Sequence, residues 1–360
     1  MGRFIWYSGA TDITGQALAD ALNARGTKTR PRNLSAEDVV VGWGSKTDEN
    51  VRLNPAKVLN HPDKIRANRN KYATLSVLKG ARNVASGIAD FCTAGDIIRE
   101  LGRRNTKMKL PLIGRTNYHQ GGKGLWICLT KDQVSSAIGD GAQYFQNYVD
   151  IKDEYRLHIA FGNIIYAQKK VENTSEASWI AQRKEKIENY AQKNNVELNN
   201  ATVDYVLGRL VKEAGLPDRI VRSNKKGWKF SGVGLNNVQA ALKNIATAAV
   251  AAVGLDFGAV DCAIGADGNP YIIEINSGPG LQGTSFEKYT EAFNAKLREL
   301  EAPPARQRRE PRQRAAGRRA VGADRAEGGV DNGGLTRVLR NVRNDDEARA
   351  VIDALMRGDI

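Results

Sequence analysis

The sequence predicts a mixed α+β and α/β protein with a small N-terminal α/β domain, a larger body in two parts and a disordered basic tail. Three observations carry this. Apolar, β-branched runs alternate with helix-period segments through the first 58 residues. Two strand-like runs flank Asp267-Gly268, a dipeptide that favours a tight hairpin. Residues 302–334 are rich in Arg, Ala, Gly and Pro and poor in large apolar side chains, so they bury too little surface to offset the entropy of ordering.

Taken in order, Arg3–Tyr7 reads as a short buried strand and residues 14–25 as a helix stopped by Gly26. Val39–Trp43 reads as a second strand, and residues 1–58 form the N-terminal domain. Residues 59–142 form a small subdomain: a basic helix over 63–80, a helix over 94–101, a strand over 110–114, the glycine loop 121–124 and a strand over 125–129. Residues 143–301 form a large subdomain. Here 143–149 reads as a strand, 154–161 and 163–170 as a hairpin-like pair, and 172–219 as a polar, helical insertion or lid. A basic loop or strand follows over 220–232, then a long helix over 237–253, the Asp267-Gly268 hairpin and a last helix over 287–301. After the linker, 335–360 carries apolar positions at helical spacing and reads as a docking helix or a partner-binding peptide.

Composition narrows the function. The net charge is +14, but the tail after Leu300 holds 13 Arg, no Lys and 10 acidic residues, so it supplies only +3. The other +11 lies in the first 300 residues, where a basic cleft for a polyanionic nucleotide accounts for part of it. Nucleic acid through the basic tail is the less favoured partner, since no stacking-aromatic motif accompanies it. Cys92, Cys128 and Cys262 show no metal-type spacing and fit a reduced, cytoplasmic protein. The start of the chain lacks the apolar core of a signal peptide, and the most apolar helical stretch, 245–253, is too short to span a bilayer.

The chemistry concentrates at 254–285, GLDFGAVDCAIGADGNPYIIEINSGPGLQGTS. With Asp267 and Gly268 as a two-residue loop, Ala266 faces Asn269 and, counting back, Asp261 faces Glu274. Two carboxylates opposite one another on a sheet repel. Asn276, two residues beyond Glu274, points to the same face. Three oxygen-bearing side chains at one spot suit magnesium or manganese and leave room for phosphates. Cys262 alternates to the other face and belongs to the core.

Two further segments suit a nucleotide. Gly121, Gly122 and Gly124 around Lys123 lie between two strands, with Arg115 upstream. Glycines let backbone N–H groups approach phosphate oxygens, and Lys and Arg add charge. The spacing is not that of a P-loop, and the segment reads as a β-hairpin covering a nucleotide. Gln146-Asn147-Tyr148-Val149 ends a strand where backbone groups can meet an adenine edge, just before the charged run DIKDEYR.

This succession resembles the ATP-grasp superfamily over residues 60–290, and within it the carboxylate–amine ligases that include ribosomal-protein glutamate ligases. Its most specific part is VRSNKKGWKF at 221–230, then the Ala-rich helix, then GLDFGAVD, then IIEINSGPGL. Asn70-Lys71 matches the family's Asn-Lys region, and Arg115 stands where the family usually has Lys, which keeps the charge and changes its geometry. The likeness is closest to bacteriophage-encoded members. It implies an ATP-grasp fold, with ATP held between two subdomains and Asp261, Glu274 and Asn276 ligating two Mg²⁺ or Mn²⁺ ions. Lys71, Arg115 and Lys123 face the phosphates, Gln146, Tyr148 and Val149 lie near the adenine, and Glu154 or Asp150 holds the ribose. Arg156, Arg222 and Asn224 line the reacting centre, where a carboxylate substrate and an amine substrate (a small molecule, a peptide or a protein tail) are joined through an acyl phosphate. The competing expectation is a non-catalytic nucleotide-binding or assembly-associated protein on the same scaffold.

Overall fold

The computed structural model describes residues 2–8, 12–45, 47, 50–118, 124–172, 187–203, 205–206, 222 and 228–302. The expected linker and terminal helix lie outside the described residues, apart from Ala302, as does much of the 172–219 insertion, whose described part is helical at 187–193, 200–203 and 205–206. Three sheets make up the body.

The first sheet joins β1 (Arg3–Tyr7), β2 (Arg25–Thr27), β3 (Val39–Trp43) and β4 (Lys57–Leu59) in the parallel order β2-β1-β3-β4. Parallel neighbours need a crossover, which the Ile13–Ala21 helix supplies between β1 and β2. That helix stops sooner than expected: Asn23 takes a left-handed φ of 48°, and Gly26 lies inside β2. All five residues of β3 are buried, as befits an inner strand covered on both faces. β2 and β4 went unforeseen because three residues carry no readable period.

The second sheet is antiparallel, β5 (Phe91–Thr93), β8 (Tyr144–Asn147), β6 (Leu112–Arg115) and β7 (Leu125–Cys128) in that order. Ile97, Val134 and Ala137 of two flanking helices bury against its Leu112, Cys128 and Phe145. The expected basic helix over 63–80 is two helices, Pro62–Arg69 and Lys71–Gly80. Asn70 between them is extended, and its side chain accepts a bond from Ala73 N at 3.0 Å. A short amide side chain competes for the backbone in this way and starts a new helix at Lys71.

The third sheet is antiparallel throughout: β11 (Trp228–Gly232), β10 (Asn163–Glu172), β9 (Ile151–Ala160), β12 (Phe257–Gly265) and β13 (Pro270–Asn276). The Ala240–Ala252 helix covers one face. Its Leu242, Ile245, Ala246, Ala249 and Val250 recur at helical spacing and pack on Val260, Cys262 and Ile275. The Thr284–Glu301 helix covers part of the other face, where Tyr289 and Phe293 meet Trp43 and Phe257 edge-on. The rest of that face is polar.

Residues up to Pro304 form one compact unit, and two joints tie the first sheet to the third. Asn60 is fully buried, with φ 52°, and makes four bonds: its N–H to Asp256 Oδ2 at 2.6 Å, its amide N–H to Phe257 O at 2.9 Å, and its amide oxygen from Asp256 N at 2.7 Å and Phe257 N at 3.2 Å. The second joint is a backbone approach. A Cβ on Gly278, just past β13, would lie 2.7 Å from Gly44 N at the end of β3, so only glycine fits there.

Candidate active site

The polar face of the third sheet follows from strand alternation. Glu154, Arg156 and His158 share one face of β9, Asp261 that of β12, Glu274 and Asn276 that of β13, and Gln168 and Lys170 that of β10. Asp261 pairs directly with Glu274. The route to that pair differs from the expected one. The loop has three residues, since Gly265 N bonds Asn269 O and Gly268, with φ 79°, closes onto Gly265 O. The pairs then run Ala263 with Tyr271 and Cys262 with Ile272, one step off the expected register. A bulge at Ile273 restores the step before Asp261.

Both Asp261 oxygens and Glu274 Oε1 accept hydrogen bonds, and Glu274 Oε2 faces an ammonium. Arg156 Nε reaches Asp261 Oδ1 at 2.6 Å and its Nη2 reaches Oδ2 at 2.8 Å. Asn276 Nδ2 lies 3.1 Å from Glu274 Oε1 and 3.4 Å from Asp261 Oδ2. Lys71 Nζ is 3.8 Å from Glu274 Oε2, with its own backbone N–H on Asn117 O at 2.9 Å. Burial disfavours the charge on Arg156, but Asp261, Glu274 and Glu154 together outweigh it and hold the guanidinium more firmly protonated than usual. Asn68 secures the strand behind, donating to Ile275 O at 2.9 Å.

Beside this cluster, Lys170 Nζ bonds buried Glu154 at 2.7 Å, and Arg222 Nε lies 3.9 Å from the same carboxylate. Burial raises the Glu154 pKa, and Lys170 opposes it. Phe230 is a platform: the Arg156 guanidinium sits 4.4 Å from its ring centre and Lys170 Nζ 5.0 Å. Arg222 stacks 4.7 Å over Trp228 and donates to Ile151 O at 2.9 Å. A cavity of about 470 Å³ opens here, lined by Asp150, Ile151, Lys170, Glu172, Arg222 and Trp228 among others. Asp150 accepts a 2.5 Å bond from Asn200, a described residue of the insertion.

The remaining expected residues are placed as follows. Arg115 lies on β6 opposite Tyr144, and its buried Nε has no hydrogen-bond partner among the described residues. Both Arg115 and Glu274 act on the Tyr144 hydroxyl, whose pKa burial chiefly raises. Gly124, with φ 62°, accepts a bond from Thr116 N at 3.3 Å. Gly121, Gly122, Lys123 and Asn224 lie outside the described residues. Gln146 pairs with Phe91 and Ile113 inside the second sheet. Tyr148 donates its N–H to Pro111 O at 3.1 Å and packs against Ile127 and Leu129, and Val149 follows it half-buried.

The sequence reading missed His158, Gln168, Lys170 and the two aromatic platforms. Alternation from Arg156 was the available signal for His158. Lys170 and Phe230 become visible only once β10 and β11 are known to be neighbours. His158 is buried, and its Nε2–H donates to Gln168 Oε1 at 3.0 Å.

Among the described residues, no three His, Cys, Asp or Glu side chains gather as a metal-binding group. The candidate set is two carboxylates and one amide, hard oxygen chemistry that fits Mg²⁺ or Mn²⁺. The resident cations on those oxygens mark the spot as one where positive charge is held.

Against solved structures, the chain is similar to the ATP-grasp ligase PsnB complexed with a minimal precursor, with a TM-score of 0.51 and 13% identity over 83% of this chain and 99% of that one. It is also similar to D-alanine–D-alanine ligase from Bacillus anthracis, with a TM-score of 0.51 and 12% identity over 84% and 96% of the two chains. N5-carboxyaminoimidazole synthetase from Staphylococcus aureus complexed with ADP gives a TM-score of 0.50 and 12% identity over 80% and 69%. No protein-family model and no curated protein matches the sequence. The chain has the ATP-grasp fold. No helix among the described residues is long and apolar enough to cross a membrane.

Proposed function

We propose that the chain is an ATP-dependent carboxylate–amine ligase that forms an amide through an acyl phosphate. One observation carries the reading: Asp261, Glu274 and Asn276 share one face of the third sheet, and Lys71 reaches Glu274 from a different part of the chain, at 3.8 Å. Phosphoryl transfer is chiefly positioning and charge neutralisation, and a face that mixes paired carboxylates with Lys71, Arg156, Lys170 and Arg222 is built for that.

In this reading residues 1–58, 59–142 and 143–301 are the N-terminal domain and the two subdomains that hold ATP. Asp261, Glu274 and Asn276 would hold Mg²⁺ or Mn²⁺, which supplies charge neutralisation across the phosphates when bound. Lys71 and Arg115, with Lys123 of the glycine loop, bind the phosphate oxygens. Gln146, Tyr148 and Val149 border the adenine. Asp150 is better suited than Glu154 to the ribose, because Glu154 is committed to Lys170 and Asp150 lies on the cavity wall. A substrate carboxylate attacks the γ-phosphate, and the γ-phosphoryl bond to ADP breaks. The amine then attacks the acyl carbon, and phosphate leaves. Arg156 and Arg222, with Asn224, steady the oxygens that carry charge in both steps.

A peptide is among the expected substrate classes, and the similar ligase PsnB was solved with a minimal precursor. The test is a screen of carboxylates and amines, amino acids and short peptides included, for ADP release with ATP and Mg²⁺. ADP release that needs both substrates, with an amide in the product, supports the reading. Binding of ATP without turnover by any pair points to a non-catalytic nucleotide-binding protein. Turnover that needs no amine points to a kinase-like enzyme.

A further inference from the structure

Asp261 is held in a way the ligase reading does not require. Both of its oxygens are taken by one guanidinium, Arg156, at 2.6 and 2.8 Å, and only 8% of its side chain is exposed. The ring of Phe230, 4.4 Å from the guanidinium, holds Arg156 in that pose from the other side. Asn276 turns its N–H end, not its oxygen, toward both acids. Lys71 offsets Glu274. Among the described residues, Arg156 and Lys71 thus set two cations of the chain itself against the two carboxylates.

We infer that Arg156 is a resident counter-ion that competes with a divalent cation for Asp261, so that the cation enters only together with a nucleotide. A bare divalent cation must displace a half-buried guanidinium from its one bidentate partner, Asp261, and brings no anion to replace it. A cation that arrives on a triphosphate brings anionic oxygens that take Arg156 and Lys71 in exchange. Charge stays balanced at each stage, and Asn276 need only turn its amide over to present an oxygen. By linkage, the nucleotide tightens the cation and the cation tightens the nucleotide by the same factor. This rests on the reading of Asp261 and Glu274 as cation ligands and names Arg156 as the residue that makes their loading ordered.

The experiment is a Mn²⁺ titration read by electron paramagnetic resonance, with Mn²⁺ alone and with a non-hydrolysable ATP analogue. Wild type binds Mn²⁺ alone weakly and much more tightly with the analogue. Arg156→Gln binds Mn²⁺ alone at least about tenfold more tightly than wild type, because a desolvated competing charge is gone. The gain from the analogue shrinks to match. Glu274→Gln on that background removes the new affinity, which localises it. Phe230→Leu loosens the guanidinium while leaving Asp261 paired, and it moves Mn²⁺ affinity in the same direction by a smaller factor. It carries the test by itself if Arg156→Gln does not fold. Mn²⁺ affinity in these variants equal to or weaker than wild type overturns the inference. The readout needs no turnover, so it separates from the ligase reading. A protein that never releases ADP but gains Mn²⁺ affinity in Arg156→Gln sinks the ligase alone. An active enzyme with no such gain sinks the counter-ion role alone.

Discussion

Asp261 and Glu274 face each other across β12 and β13 although the turn that joins these strands holds one residue more than a two-residue hairpin. Ile273 absorbs the difference as a bulge. Two like charges held opposite one another cost stability unless cations are drawn to them, and here Arg156 and Lys71 are.

Glu274→Ala therefore removes charge repulsion and cation-holding capacity together. ADP release falls at least about 100-fold, in line with the several kcal/mol that a bound cation contributes to charge stabilisation. The melting temperature stays within about 3 °C of wild type, because partly exposed ion pairs contribute little. Parallel ADP assays and circular dichroism melts check this, and full activity in the variant means the cation site lies elsewhere.

Arg222 packs against Trp228, Ile151 O and Glu154. Arg222→Ala should lower the ligation rate by about 100-fold while changing ATP affinity by less than about threefold, as expected for a group that acts on the reacting oxygens. Rate measurements and analogue binding, run side by side, decide it. Equal losses in both would make Arg222 a nucleotide-binding residue only.

Asn60→Ala deletes the three side-chain hydrogen bonds of this joint, keeps the backbone N–H bond to Asp256, and leaves the Asp256 and Phe257 amides without their acceptor. The expected loss is about 3 kcal/mol, with the melting temperature down by roughly 6–12 °C. Activity per folded molecule is retained below the new transition. A stability within 0.5 kcal/mol of wild type, on the order of an ordinary surface substitution, would contradict the joint.

His158 gives a pH signature. Burial, opposed by the bond to Gln168, lowers its pKa from 6.5 to about 4. The unfolded chain therefore binds a proton that the folded chain refuses between those values. The stability contributed is full above pH 6.5 and is lost as pH falls toward 4, amounting to roughly 3 kcal/mol at the limit. Wild type should lose more stability than His158→Gln over that window in urea titrations. Parallel curves for the two proteins would rule the histidine out.

Much of the fold was legible because period and punctuation are local. The all-buried β3, the Ala240–Ala252 stripe and the antiparallel pair around Asp267-Gly268 each announce themselves within about a dozen residues. The break at Asn70 and the three-residue strands were not read, because a single capping amide and a run of three fall below any periodic signal. The loop length was misjudged, and the pair Asp261–Glu274 was reached regardless, since the bulge at Ile273 returns the register to the expected one. Lys71 was named from a short Asn-Lys match, and its proximity to Glu274 depends on that same break at Asn70.

By itself the sequence determined which oxygens share a strand face, because alternation along a strand is a property of the backbone. It also determined where helices and strands carry their apolar stripes. The tertiary structure alone decided who neutralises those oxygens. Arg156 meets Asp261 105 residues away, Lys71 meets Glu274 from another part of the chain, and Phe230 slides under the guanidinium from a strand two places over in the sheet. Such pairings depend on strand order and on the packing of separate sheets, and electrostatic energy follows distance in space, which spacing along a chain does not encode.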